Sequence, residues 1–218
     1  MNRTTKRLAV IFLIVFAAYL LYLNQRINDE FSNPIASENN KIQISYSLEQ
    51  YPKELLNMLL VVEDQSFYQH RGVDFIEIGR VIFSYLFKGE PLRGASTITQ
   101  QLIKNTLLSP EQKLSRKIEE GLMALLMEFS YNKNFILERY MNTVYLAQEG
   151  ALAYHGFASA SEYYFKQPVK SLELDKMATL VALLKGPSYY HPVRHLERLE
   201  KRKKLVLSMY HKYKKIVK

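Results

Sequence analysis

The chain contains no cysteine in 218 residues. That excludes a disulfide scaffold, a thiol nucleophile, a zinc ribbon and an iron–sulfur site together, and leaves cysteine usage silent about the redox compartment. Glycine and proline are sparse, at 8 and 7 residues, and no internal repeat, low-complexity tract or run of alternating strand pattern is present. Hydrophobic residues make up 48% and charged residues 23%, which is the composition of a globular chain with a real core, neither disordered nor fibrous. The length fits one mid-sized domain with a short appendage. Acidic residues are the scarcer sign, 21 against 30 basic, for a net charge of +9. Such an excess points to an anionic partner: nucleic acid, phospholipid headgroups or a phosphorylated substrate.

One long apolar run narrows that choice. Leu8 to Leu23 is sixteen residues without a charge, preceded by Arg3, Lys6 and Arg7 and followed by Asn24, Gln25 and Arg26. Sixteen is short of the roughly 20 residues that span a bilayer, but Tyr19 and Tyr22 suit its interface. No small-residue cleavage site follows, and the run is apolar on every side, so an uncleaved signal anchor fits better than a signal peptide or a core helix. The predicted layout is a cytoplasmic tail over 1–7, a transmembrane anchor over 8–23, a stalk over 24–45 and an extracytoplasmic domain over 46–218. The basic residues ahead of the anchor keep the N-terminus inside. Nucleic acid is then excluded as a partner.

The remainder reads as mostly α. Pro52 opens a helix with Leu55, Leu56, Leu59 and Leu60 on one face. Thr97 and Gln100 make a capping box. Ser109, Pro110 and Gln112 start a third helix, whose Leu114, Ile118, Leu122, Leu125 and Phe129 recur at helical spacing. Further patterns run over 134–146, 174–185 and 194–213, and Gly186-Pro187 ends the second of these. The apolar run from Phe75 to Leu92 reads as core, or as an amphipathic surface dipping into a bilayer.

Several polar residues interrupt these patterns. Glu63 extends the apolar stripe of its helix, where desolvation raises a carboxylate toward the range of a general base, unless it turns to solvent or meets a cation. Asp64 points away from that stripe, as a structural hydrogen-bonder. His70 fits either catalysis or a loop role. Ser96, Gln100 and Lys104, with Thr97, Gln101 and Asn105 alongside, give the second helix a face of hydroxyls, amides and one ammonium. That face suits a sugar or a phosphate, or merely water. Arg116 and Glu120, with Lys113 and Lys117, form either a surface ion pair or a cationic patch for pyrophosphate.

Taken in order, these motifs resemble the peptidoglycan glycosyltransferase (transglycosylase) family, found as monofunctional transglycosylases and as modules of class A penicillin-binding proteins; the residues leave both open. The resemblance covers about Tyr51 to Met209. It rests on Glu63-Asp64-Gln-Ser-Phe67-Tyr-Gln-His70-Arg-Gly72, Gly94-Ala-Ser96-Thr97-Ile98-Thr99-Gln100-Gln101-Leu-Ile-Lys104-Asn105, Arg116-Lys117-Ile-Glu119-Glu120, Ile136-Leu137-Glu138-Arg-Tyr140-Met-Asn142-Thr-Val-Tyr145 and the 202–207 region. It implies a mostly α, lysozyme-like, two-lobed domain behind an N-terminal transmembrane helix, at the bacterial cytoplasmic membrane. The implied reaction polymerises lipid II into β-1,4-linked glycan and releases undecaprenyl diphosphate. Glu63 would be the general base, and Glu120 would help bind pyrophosphate, with or without Mg2+ or Mn2+. Arg80, Lys104, Arg116 and Lys117 would offset the leaving charge; Ser96, Gln100 and Gln101 would line the donor side. Asp64, Thr97 and Asn105 complete the implied substrate-binding set, and cell-wall synthesis proteins are the implied partners. A lytic glycosidase and a non-catalytic lipid II-binding scaffold are the rivals. Against the family pattern, Gln112 stands where a cation is usual, and Ala147 and Lys166 stand where glycine is.

Overall fold

The computed structural model describes residues 2–35, 41–91, 94–111 and 113–213; Gln112 and Leu92 lie outside them. The chain is mostly α. A long first helix, α1 (Arg3–Phe31), is capped by the Asn2 side chain, which accepts the Arg3 N–H at 2.8 Å. Among the described residues it is the one helix long and apolar enough to cross a membrane. It does not stop at Leu23. The segment read as an irregular stalk stays helical to Phe31, because Leu23, Ile27 and Phe31 repeat every four residues and are buried against the domain.

Helix α2 (Lys53–Glu63) follows Pro52 and is buried along nearly its whole length. Helix α3 (Phe75–Lys88) is capped by Asp74 and closed by Gly89 in the left-handed region. Helix α4 (Ile98–Leu107) starts at the expected capping box, with Thr97 and Gln100 bonded reciprocally. Then come α5 (Leu114–Ser130), α6 (Lys133–Thr143), α7 (Phe157–Phe165), α8 (Leu174–Leu183) and α9 (Leu196–Lys212). The core gathers α2, α4, α6, α8 and the inner faces of α5 and α9.

Three features go beyond what the sequence decided. A small sheet is present: β1 (Lys41–Gln43), β2 (Tyr145–Glu149) and β3 (Leu152–His155), in the order β1-β3-β2, with β1 parallel to β3 and β2 antiparallel to it. The expected helix over 134–146 therefore yields to a strand after Thr143. The apolar run on α3 is not core; none of its residues is buried, and Phe75, Ile76, Leu86 and Phe87 are widely exposed. On α5 the leucine row also faces outward, with Leu114 and Phe129 exposed by 79% and 89%. Glu120, Met123, Ala124 and Met127 form the face that is buried. Lys166 and Ala147 occupy ordered positions: the first is the left-handed C-cap of α7, and the second is buried in β2 beside a register shift.

Candidate active site

The C-terminus of α2 presents two adjacent carboxylates, and the structure gives them opposite surroundings. Glu63 is half-buried. Its Oε2 accepts from Gln101 Nε2 on α4 at 3.0 Å, and Gln101 Oε1 accepts from the Tyr140 hydroxyl on α6 at 2.9 Å. Tyr140 is wholly enclosed; burial, then the nearby Glu63 charge, push its phenol well above the ordinary range. Asp64 is the buried member of the pair. Since the helix ends at Glu63, helical periodicity no longer governs Asp64. Its carboxylate accepts the Ile98 N–H at 2.9 Å, at the positive end of α4, and faces His70 Nε2 at 3.0 Å. That is the structural role expected of it, reached from the inside.

His70 is held in turn by residues the sequence did not single out. Lys133 Nζ, at the start of α6, lies 3.5 Å from His70 Nδ1 and 2.7 Å from Glu128, and Glu128 also accepts from Thr99 at 2.5 Å. Desolvation lowers the Lys133 ammonium from its usual value, against the opposing pull of Glu128. The signal for Glu128 was faint: it follows Glu120 and Ala124 along the i+4 row of α5. Tyr140 sits inside a quoted motif, but no spacing could show that it meets Gln101.

The second cluster lies between α4 and α5. Glu120 is buried, with Oε1 paired to Lys117 and Oε2 lying 3.5 Å from Arg116 Nη1. Lys117 also reaches Ser96 Oγ at 2.8 Å. Lys104, Asn105, Lys113 and Arg116 share a cavity of about 730 Å³ with Leu108, Ser109 and Pro110. Among the described residues no carboxylate lines it, although Glu111 pairs with Lys113 at 2.6 Å. Arg116 Nε and Nη1 are buried and make no hydrogen bond; Nη1 faces the Glu120 carboxylate, and Nε is left as a donor for an anion.

The expected set is thus divided. Glu63, Gln101, Lys104 and Asn105 follow one another along a single contact from α2 onto α4, and Ser96, Arg116, Lys117 and Glu120 meet beside it. Thr97 and Gln100 are buried and commit their hydrogen-bonding atoms to the start of α4; the Thr97 hydroxyl also donates to the Gly72 carbonyl at 2.6 Å. Arg80 stands apart, paired with Glu77 on exposed α3. The donors around Glu120 do not suit a divalent cation. Both of its oxygens already face cations, and among the described residues no three carboxylates or histidines cluster as a metal site.

The chain is similar to several known proteins. Penicillin-binding protein 1B of Vibrio cholerae is 44% identical over 184 residues, covering 84% of this chain and 24% of that protein. Penicillin-binding protein 1B of Escherichia coli is 42% identical over 184 residues, 84% of this chain and 22% of its own. Penicillin-binding protein 1F of Bacillus subtilis is 33% identical over 190 residues, 87% and 26% respectively. The chain spans about a quarter of the length of these curated relatives. The family model described as Transglycosylase matches residues 29–211, from the end of α1 through nearly all of α9, and the chain belongs to the transglycosylase family.

Proposed function

We propose that this chain is a membrane-anchored peptidoglycan glycosyltransferase that polymerises lipid II into β-1,4-linked glycan. The observation that carries the reading is the continuity of α4. Gln101 holds Glu63, and one turn further on Lys104 and Asn105 enter the cavity shared with the Arg116 guanidinium, whose Nε makes no hydrogen bond. The residue that holds the base and two residues of the cationic pocket therefore sit on neighbouring turns of one helix, α4.

Glu63 takes the proton from the 4-hydroxyl of the acceptor sugar. The oxygen attacks the anomeric carbon of the growing chain, whose α-linked diphosphate departs with the bonding electrons, and the new linkage is β. A diphosphate is already a good leaving group, so the site needs a base and cations more than a strong acid. Arg116, Lys104 and Lys113 offset the departing charge, while Glu120 keeps Lys117 and Arg116 in place. A glycosidase would instead need a protonated carboxylic acid beside the leaving oxygen and a route for water. The cation-rich cavity favours transfer. Helix α1 spans the membrane and leaves the domain on its outer face beside the lipid-linked substrate, and the exposed apolar side of α3 rests against lipid.

The test is polymerisation of labelled lipid II by the purified, detergent-solubilised protein, beside Glu63→Gln. Long glycan from the wild type and none from the variant supports the reading. Silence from a wild type that still binds lipid II would make the chain a scaffold.

A further inference from the structure

The chain Tyr140–Gln101–Glu63 has only one self-consistent polarity. An ionised carboxylate only accepts hydrogen bonds, so the group facing Glu63 Oε2 at 3.0 Å must be the Gln101 amide nitrogen. The amide oxygen then faces Tyr140, and the phenol must donate to it, at 2.9 Å. Burial and the Glu63 charge keep that phenol protonated, so the donor is permanent. Among the described residues nothing else bonds the Tyr140 hydroxyl, and Glu63 Oε1 has no partner.

We infer, on the basis of the function proposed above, that Tyr140 is a positioning residue: through Gln101 it occupies Glu63 Oε2 and so assigns proton abstraction to Oε1. In the step itself the O–H bond of the acceptor breaks and an O–H bond forms at Oε1. The acceptor oxygen bonds to the anomeric carbon, and the carbon–oxygen bond to the diphosphate breaks with its electron pair on the leaving group. The proton on Oε1 then passes to water, since Glu63 is half-exposed. The carboxylate rejects the amide oxygen, and the bond from the Tyr140 hydroxyl fixes the amide in the orientation the carboxylate selects.

Few other charges bear on Glu63. Among the described residues no ion pair joins it; Asp64 beside it is turned to Ile98 and His70, and the Lys133 ammonium of α6 is engaged by Glu128. Helix α9, packed along α2, brings Tyr210 to the charge of Glu54 at the far end of that helix.

The experiment measures lipid II polymerisation against pH for wild type, Glu63→Gln, Tyr140→Phe, Gln101→Leu and the Tyr140→Phe/Gln101→Leu double variant. Tyr140→Phe removes one oxygen and keeps the packed ring. Its expected effect is a kcat about tenfold lower, the scale of one hydrogen bond between neutral groups, with KM little changed. The acid limb of the rate profile moves to higher pH, because the Gln101 amide that donates to the charged form of Glu63 is no longer held by the Tyr140 hydroxyl. Gln101→Leu moves the limb the same way, and adding Tyr140→Phe to it changes nothing further. An acid limb that stays in place, or effects that simply add, overturns the inference. If Tyr140→Phe does not fold, the limb of Gln101→Leu decides. Full polymerisation by Glu63→Gln would instead remove Glu63 as the base, a failure recognisable without any Tyr140 variant.

Discussion

Arg26 Nη1 lies 2.6 Å from Glu119 Oε1, and Arg26 Nη2 donates at 2.6 Å to the carbonyl of Leu107, the last residue of α4. One guanidinium on the anchor helix thus holds both helices of the cationic cavity, closing an open helix C-terminus as it does so. The ion pair is partly exposed and screened, so most of its value lies in the geometry. Arg26→Ala should lower stability by about 1 kcal/mol, or roughly 2–4 °C. Arg26→Lys should recover less than half of that, because an ammonium cannot reproduce the two-pronged fork. Thermal unfolding in detergent by far-UV circular dichroism reads both. A lysine variant as stable as wild type would show that the fork is immaterial.

Glycine tolerance should separate two positions sharply. Gly72 has φ +78°, and a Cβ there would overlap the backbone of Ala124 on α5. Because its carbonyl also receives the Thr97 hydroxyl, any retreat disturbs the start of α4. Gly72→Ala should cost about 3 kcal/mol or more and abolish activity. Gly79 sits within α3, and a Cβ there meets nothing within 4 Å. Gly79→Ala should add about 0.5–1 kcal/mol by stiffening the unfolded chain. Urea denaturation of the two variants checks the pair.

The sequence made the helices legible wherever local chemistry decides: the Thr97–Gln100 capping box, the leucines of α2, the Gly186-Pro187 stop. It misjudged faces. Helical spacing shows that Leu114, Ile118 and Phe129 share a side of α5, yet says nothing about which medium that side meets, and beside a membrane the apolar medium is outside. The strands escaped because they are three to five residues long and pair across the chain, as Lys41 does with Ala153. Glu63 stood out as a carboxylate in an apolar stripe, and Glu120 as the i+4 partner of Arg116 in a cationic cluster. Tyr140, Glu128 and Lys133 did not, since their partners come from other elements and only the return of α6 to the α2–α4 junction brings them together.

Acid should weaken the fold through Asp74. Burial alone would raise its carboxyl, but hydrogen bonds from the Ser66 hydroxyl and the Glu77 and Ile76 N–H groups, with the charge on His70, bring it below the ordinary aspartate value. A depressed folded-state value means the stabilisation is fully present above the unfolded value of about 3.9 and is lost as pH falls through the folded one. Asp74→Asn keeps an acceptor for the Glu77 N–H but not the charge. The variant should therefore be less stable than wild type by about 1 kcal/mol at neutral pH. The gap should close as pH drops below the ordinary aspartate range. Urea midpoints measured along a pH series test this; a gap that is constant with pH would remove the charge from the explanation.

Lys166 carries the backbone conformation that a glycine would take without strain. It is the only non-glycine with positive φ among the described residues, at φ 54° and ψ 37°, and its N–H closes α7 by donating to the Glu162 carbonyl at 3.1 Å. A left-handed residue with a Cβ costs about 1 kcal/mol, offset in part by the extra freedom glycine brings to the unfolded chain. The Lys166 ammonium over the Tyr163 ring, at 5.8 Å, is too distant and too exposed to offset the remainder. Lys166→Gly should raise stability by about 0.5–1 kcal/mol, roughly 1–4 °C, without touching the site. Lys166→Ala keeps the Cβ and loses the ammonium, so it should be no more stable than wild type. Equal melting temperatures for the glycine and alanine variants would show that the strain at this cap is relieved by some other adjustment.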